Sequence, residues 1–119
     1  MAQEAEMRRA ARTFAKVFRD YADRKGWQTA DYRVFARLDP EWGNADLVLA
    51  ARSFGKSDLA SSWEDVKTFL DSRLGEMLNH YPFIHVGLRT FDQINGGGVY
   101  GLTDDYGDID EVLASGPVA

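Results

Sequence analysis

Four residues of the 119-residue chain have the types and spacing to hold an anion or a charged partner: Arg33, Arg37, His85 and Arg89. Arg33 and Arg37 sit in Tyr32–Leu38, His85 and Arg89 in the stretch from Ile84, and both stretches alternate apolar with polar residues. A period of two puts each pair on one face of a strand. A guanidinium offers planar, forked donors that match carboxylate and phosphate. Should the two strand faces coincide in one sheet, they form a cationic surface for a phosphate, a carboxylate or a nucleic-acid backbone. The plainer reading is of solvated arginines paired with Asp31, Asp39, Asp46 or Asp92, because an acidic chain supplies many such partners and exposed pairs form readily.

Other chemistry is thinly supplied. His80 and His85 stand near a helix end and on a strand, with a spacing that fits no metal motif, so a structural role is expected of both and no metal site. The run from Asp104 to Glu111 departs from the order of a calcium loop, in which glycine takes the sixth place and glutamate the twelfth, and reads as a cap plus a solvated charge run. Gly96 to Gly101 precede a strand-like segment rather than a helix, which favours a turn over a phosphate cradle. The chain has no nucleophile elbow, no H-E-x-x-H, no Walker loop and no dinucleotide fingerprint. No catalytic residue and no cofactor are expected, and an enzyme is the lesser reading.

These residues must be positioned by the elements around them. From about Glu4 to Lys25, Met7, Ala11, Phe14, Phe18 and Tyr21 recur in steps of three and four, which predicts a first helix. Arg8, Arg12, Lys16 and Arg19 fall on its opposite side as a basic strip. Gly26 suits a left-handed C-terminal position, with Trp27 behind it to supply the hydrophobic contact of a Schellman end. Tyr32–Leu38 and Ala45–Ser53, separated by the turn-forming Asp39 to Asn44, predict a β-hairpin with Val34, Ala36, Leu38, Leu47, Leu49 and Ala51 on its apolar face.

The stretch from Ser61 to Phe91 is the centre of this plan. Ser61 and Glu64 have capping-box spacing, and Trp63, Val66, Leu70, Leu74, Met77 and Leu78 form an apolar stripe that Tyr81-Pro82 ends. Gly75 inside that helix costs about 1 kcal/mol relative to alanine, and packing is the simplest account of it. Ile84, Val86 and Leu88 then alternate with His85, Gly87 and Arg89, as in a strand with one buried face. Val99–Leu102 is read as a short edge strand or a loop, and Asp108 with Glu111 repeats the capping spacing ahead of a short last helix.

Composition bounds the rest. A chain of 119 residues with 45% hydrophobic content can bury a core as one domain. It has no cysteine, which excludes disulfides, thiolate metal ligation and cysteine nucleophiles. No apolar run approaches the ~20 residues of a membrane span. With no signal-peptide core at the charged N-terminus, a cytoplasmic protein is expected and no membrane partner. The net charge of −5 disfavours broad nucleic-acid binding. That average hides an asymmetry: residues 1–25 carry seven basic against four acidic residues, net +3, which leaves −8 for the remainder.

The order helix, strand, strand, helix, strand over roughly residues 5 to 91, with Ser53-Phe54-Gly55-Lys56-Ser57 as the junction into the central helix, resembles the BolA-like domains, themselves similar in topology to class II KH modules. Phe54 and Gly55 are adjacent here, whereas that family usually separates them by one residue, and no G-x-x-G clamp of the KH kind lies between helices. The resemblance therefore carries over a topology and no site residue.

The expected fold is a single α+β domain of order α-β-β-α-β(-β)-α, a mainly antiparallel sheet with helices on one face and Phe35 with the arginines on the other. The expected function is a small non-catalytic interaction or regulatory module that binds another protein or a second copy of itself as a dimer. A nucleic-acid-binding module using Arg33, Arg37 and Arg89 is the first alternative. A small-ligand enzyme, which needs a concave pocket holding His85 or Arg89, is the second.

Overall fold

The computed structural model describes residues 4–39, 41–75, 80–92 and 106–114. Helix α1 (Glu4–Lys25) has the length that its periodicity predicts. It buries Met7, Ala10, Ala11, Phe14, Ala15, Val17, Phe18, Tyr21 and Ala22, the expected stripe widened by small residues that let the helix approach the sheet closely. Its C-terminus is a Schellman motif. Gly26 takes φ 75°, the Trp27 amide donates to the Ala22 carbonyl at 2.9 Å and the Gly26 amide to Asp23 at 3.1 Å. Trp27 then packs edge-on against Tyr21 and Phe54, so the cap also ties the helix end to the segment that follows the hairpin.

Strands β1 (Tyr32–Asp39) and β2 (Asn44–Ala51) form the hairpin in full register, from Tyr32 opposite Ala51 to Asp39 opposite Asn44. Asp39 closes the turn, accepting the Gly43 amide on its carbonyl at 2.8 Å and the Trp42 amide on its carboxylate at 3.2 Å. Strand β3 (Ile84–Thr90) lies on the other side of β2 and runs parallel to it, because helix α2 (Leu59–Leu74) carries the chain back across the sheet first. A two-residue strand β4 (Gly107–Asp108) pairs antiparallel with β1 at Phe35 and Ala36, giving the order β3-β2-β1-β4. Two pairings are antiparallel and one is parallel, so the α+β expectation holds with a mixed sheet. The edge strand expected at Val99–Leu102, the glycine run at Gly96 to Gly101, and Asp104 and Asp105 lie outside the described residues.

The helices cover one face of the sheet. Phe14 and Phe18 of α1 and Val66 and Leu70 of α2 pack with Val34, Ala36, Leu47, Leu49, Ala51, Ile84 and Leu88 in one core cluster. Helix α3 (Ile109–Ala114) adds Ile109 to it, with Val112 and Leu113 packed alongside. Asp108 caps its start as expected, its carboxylate accepting the Asp110 amide at 3.0 Å, but without a return bond from Glu111 among the described residues the full capping box is not formed.

Two details of α2 differ from the sequence reading. The helix begins at Leu59, continuing a 3-10 turn at Lys56–Asp58, so Ser61 lies inside its first turn and the Ser61–Glu64 spacing is not the cap. It ends at Leu74, and Gly75 is the residue that ends it, with φ 74°. That left-handed geometry favours glycine for backbone reasons, and a Cβ there would also meet the His80 ring at 3.1 Å. Met77 and Leu78, the last positions of the expected stripe, lie outside the described residues.

Candidate functional site

Because β1, β2 and β3 are in register, alternate residues from all three share the sheet face opposite the core. Three cross-strand rows result: Arg33, Ala50 and Arg89; Phe35, Val48 and Gly87; and Arg37, Asp46 and His85. Arg33, Arg37, His85 and Arg89 are thus brought onto one face, at opposite corners of a patch three strands wide. Neighbouring strands lie about 4.8 Å apart, so the outer members of a row stand roughly 10 Å from each other at the backbone. Among the described residues no helix covers this face; Val48 and Ala50 are nevertheless buried and belong to no part of the helix-side core.

The two ends of the patch differ electrostatically. At one end Arg37 donates to the Asp46 carboxylate at 2.8 Å, and both side chains are largely shielded. Tyr106, immediately before β4, lies beside them with the Arg37 guanidinium 5.2 Å from its ring centre. Burial is the main cause of the raised Tyr106 pKa; the Asp46 charge and a hydrogen bond to that carboxylate add to it, while Arg37 and Arg89 pull the other way. At the other end Arg33 is exposed, stacked 4.5 Å over the Phe35 ring, and has no carboxylate partner among the described residues. The pairing of strand arginines with Asp46 is thus half the story: Arg37 follows it and Arg33 does not.

The remaining candidates resolve as follows. His85 is exposed on the strand, opposite Asp46 in the register. His80 is exposed too, against Gly75, and among the described residues no group of three histidine, aspartate or glutamate side chains is placed to hold a metal ion. The basic strip of α1 is tied down at both ends within the chain. Arg8 donates to the Val112 carbonyl at 2.9 Å and Arg19 pairs with Asp110, so the opposite charges of the two ends meet between α1 and α3.

Concave surface lies elsewhere. The largest of three described clefts, about 560 Å³, is bordered by Arg33 but by neither His85 nor Arg89. A second, of about 460 Å³, is walled by Tyr21, Trp27 and Phe54, with Ser53, Ser61 and Asp65 at its rim. There the Tyr21 hydroxyl donates to Asp65, which also pairs with Lys25 at 2.8 Å. Burial, then the Asp65 hydrogen bond and charge, push the Tyr21 phenol well above its ordinary range, and hydrogen bonds from Lys25 and Tyr21 hold the Asp65 carboxyl low. Sequence reading singled out none of Tyr106, Arg52 and Phe91, because each matters only through what the sheet order sets beside it.

No family model, no curated protein and no solved structure matches the chain. Among the described residues no helix is long and apolar enough to cross a membrane.

Proposed function

We propose that the protein is a small, cytoplasmic, non-catalytic interaction module that binds an acidic segment of a partner protein on the sheet face opposite the helices that carry the core. The observation that carries this reading is Arg33: exposed, over the Phe35 ring, and lacking a carboxylate of its own among the described residues. The ring contact restricts the guanidinium, and with no carboxylate partner among the described residues Arg33 can take an acidic side chain without displacing an existing pair. Phe35 supplies apolar contact for the residue beside that side chain. Asp46 on the same face neutralises Arg37, which limits how many phosphates of a nucleic-acid backbone the face can engage and favours a peptide.

The test is binding of a fluorescein-labelled peptide of alternating glutamate and leucine, set beside a single-stranded oligonucleotide of similar length, across a salt series. Peptide binding is expected at low salt, with Arg33→Glu weakening it by about tenfold or more, as loss and reversal of one charge contact implies. An oligonucleotide that binds more tightly, with affinity falling steeply with salt, replaces this reading with the nucleic-acid one. Light scattering on the same samples reports a third result: a dimer that Arg33→Glu dissolves makes a second copy of the chain the partner.

A further inference from the structure

A separate feature lies at the end of the sheet where β1 begins and β2 and β3 finish. The cleft of about 560 Å³ there is bordered by Arg19 from α1, Arg33 and Tyr32 from β1, Arg52 just past β2, and Phe91 just past β3. Strand β4 pairs with β1 only at Phe35 and Ala36, so among the described residues Tyr32–Val34 have no strand on their outer side, and they line the cleft. We infer that this cleft binds a small phosphorylated ligand, with the phosphate held by Arg33 and Arg52.

Three arginines border the cleft: Arg19 is engaged by Asp110 in a charge-assisted hydrogen bond, whereas Arg33 and Arg52 are less committed. Arg52 donates to the Asp31 carboxylate and to the Ala30 carbonyl, each at 3.3 Å, the long end of hydrogen bonding, and its side chain is 64% exposed. Arg19 pairs with Asp110, whose side chain is 70% exposed. Exposed pairs of this kind contribute about 0–1 kcal/mol, so an incoming anion can take over these donors at little cost. Arg33 has no carboxylate to give up among the described residues. Both Arg33 and Arg52 lie over aromatic rings, with Cζ 4.5 Å from the centre of Phe35 and 5.1 Å from that of Phe91, contacts that restrict where each guanidinium sits.

The charge count narrows the ligand. A doubly charged phosphate spans two guanidinium groups with paired hydrogen bonds, which a single carboxylate does less well. Asp108 and Asp110 also border the cleft and repel further negative charge, so one phosphate is accommodated and a polyphosphate or nucleic-acid strand is not. The volume is in the range that takes a small organic molecule, about 300–1,000 Å³, and Tyr32 and Phe91 give its carbon skeleton an aromatic wall.

The inference is tested by titrating the ¹⁵N-labelled protein with inorganic phosphate and with adenosine 5′-monophosphate, against adenosine and against sodium chloride at matched ionic strength. Saturable shifts are expected at the Arg33 and Arg52 side chains and at the Thr29 to Val34 amides with either phosphate probe. Arg52→Gln and Arg33→Gln are each expected to weaken binding by roughly tenfold, the loss of one charge-assisted contact. Shifts that follow ionic strength alone, or binding unaltered in both variants, overturn the site. Because Arg52 lies beyond the end of β2 and outside the three cross-strand rows, Arg52→Gln weakens phosphate binding and leaves peptide binding on the sheet face unchanged. The two readings therefore fail separately.

Discussion

The two faces of the sheet are built from the same strands, one residue out of step, and they have opposite characters. On the helix side Leu47 and Leu49 are fully buried in one cluster with Phe14, Phe18 and Leu70, and among the described residues that cluster contains no charged side chain. On the other side Asp46, Val48 and Ala50, their immediate neighbours in sequence, share rows with arginines, a histidine and an aromatic ring. The first face holds the fold together by removing apolar surface from water. The second has polar groups that are partly satisfied at one corner, by Asp46, while at another Arg33 has no carboxylate partner among the described residues. A one-residue slip of register would exchange the two, which is why the hydrophobic pattern specifies the pairing so strongly.

The contrast is broken most severely by Leu49→Ala. Removing a fully buried leucine from the helix-side core is expected to cost about 2–5 kcal/mol, read as a shift in the chemical denaturation midpoint at constant slope. A loss well under 1 kcal/mol would mean that this face is not the core that the packing describes.

Asp46→Ala probes the second face and is expected to cost less, about 1–3 kcal/mol, because it takes the carboxylate from a largely shielded guanidinium. It has a second signature. The Asp46 charge and hydrogen bond both raise the Tyr106 pKa, so the variant is expected to bring the titration of that phenol down in an ultraviolet absorbance titration. An unchanged Tyr106 titration would separate the tyrosine from the ion pair.

The smallest effect belongs to the rim of the helix side, where Tyr21, Asp65 and Lys25 meet. The Asp65 carboxyl is held below its ordinary 3.8, so its contribution is present above that pH and is lost as pH falls through the lowered value. Tyr21 is raised above its ordinary 10.0, so its contribution is present below that pH and is lost as pH climbs toward the raised value. Asp65→Asn is expected to flatten stability against pH in both windows, with a modest change at neutrality because the carboxylate is 53% exposed. Stability curves of parent and variant that run parallel below pH 4 and above pH 10 would remove the triad from the account.

Local chemistry made most of the elements legible. The stripe from Met7 to Tyr21, the Gly26–Trp27 end, the hairpin around Asp39 to Asn44 and the Asp108 cap each depend on residues within a few positions of one another, so backbone and near-neighbour energetics specify them. The start of α2 was not legible in the same way. Ser61 and Glu64 have the right spacing for a cap, yet the preceding 3-10 turn already carries the chain into helical geometry at Leu59. Gly75 shows a related ambiguity, since a glycine near the end of an apolar stripe reads equally as an interior residue or as the residue that stops the helix, and its positive φ decides.

By itself the sequence determined the α+β class, the apolar face of each element and the two-residue periodicity that places Arg33 with Arg37 and His85 with Arg89, because side-chain alternation is a property of a single strand. Only the tertiary structure decided that β3 runs parallel beside β2, that both arginine-bearing faces are the same face, that Asp46 pairs with Arg37 at one corner, and that Arg19, Arg33 and Arg52 border one cleft. Those facts depend on strand order and on contacts between residues far apart in the chain, and no local preference encodes which distant partner a charged side chain will meet.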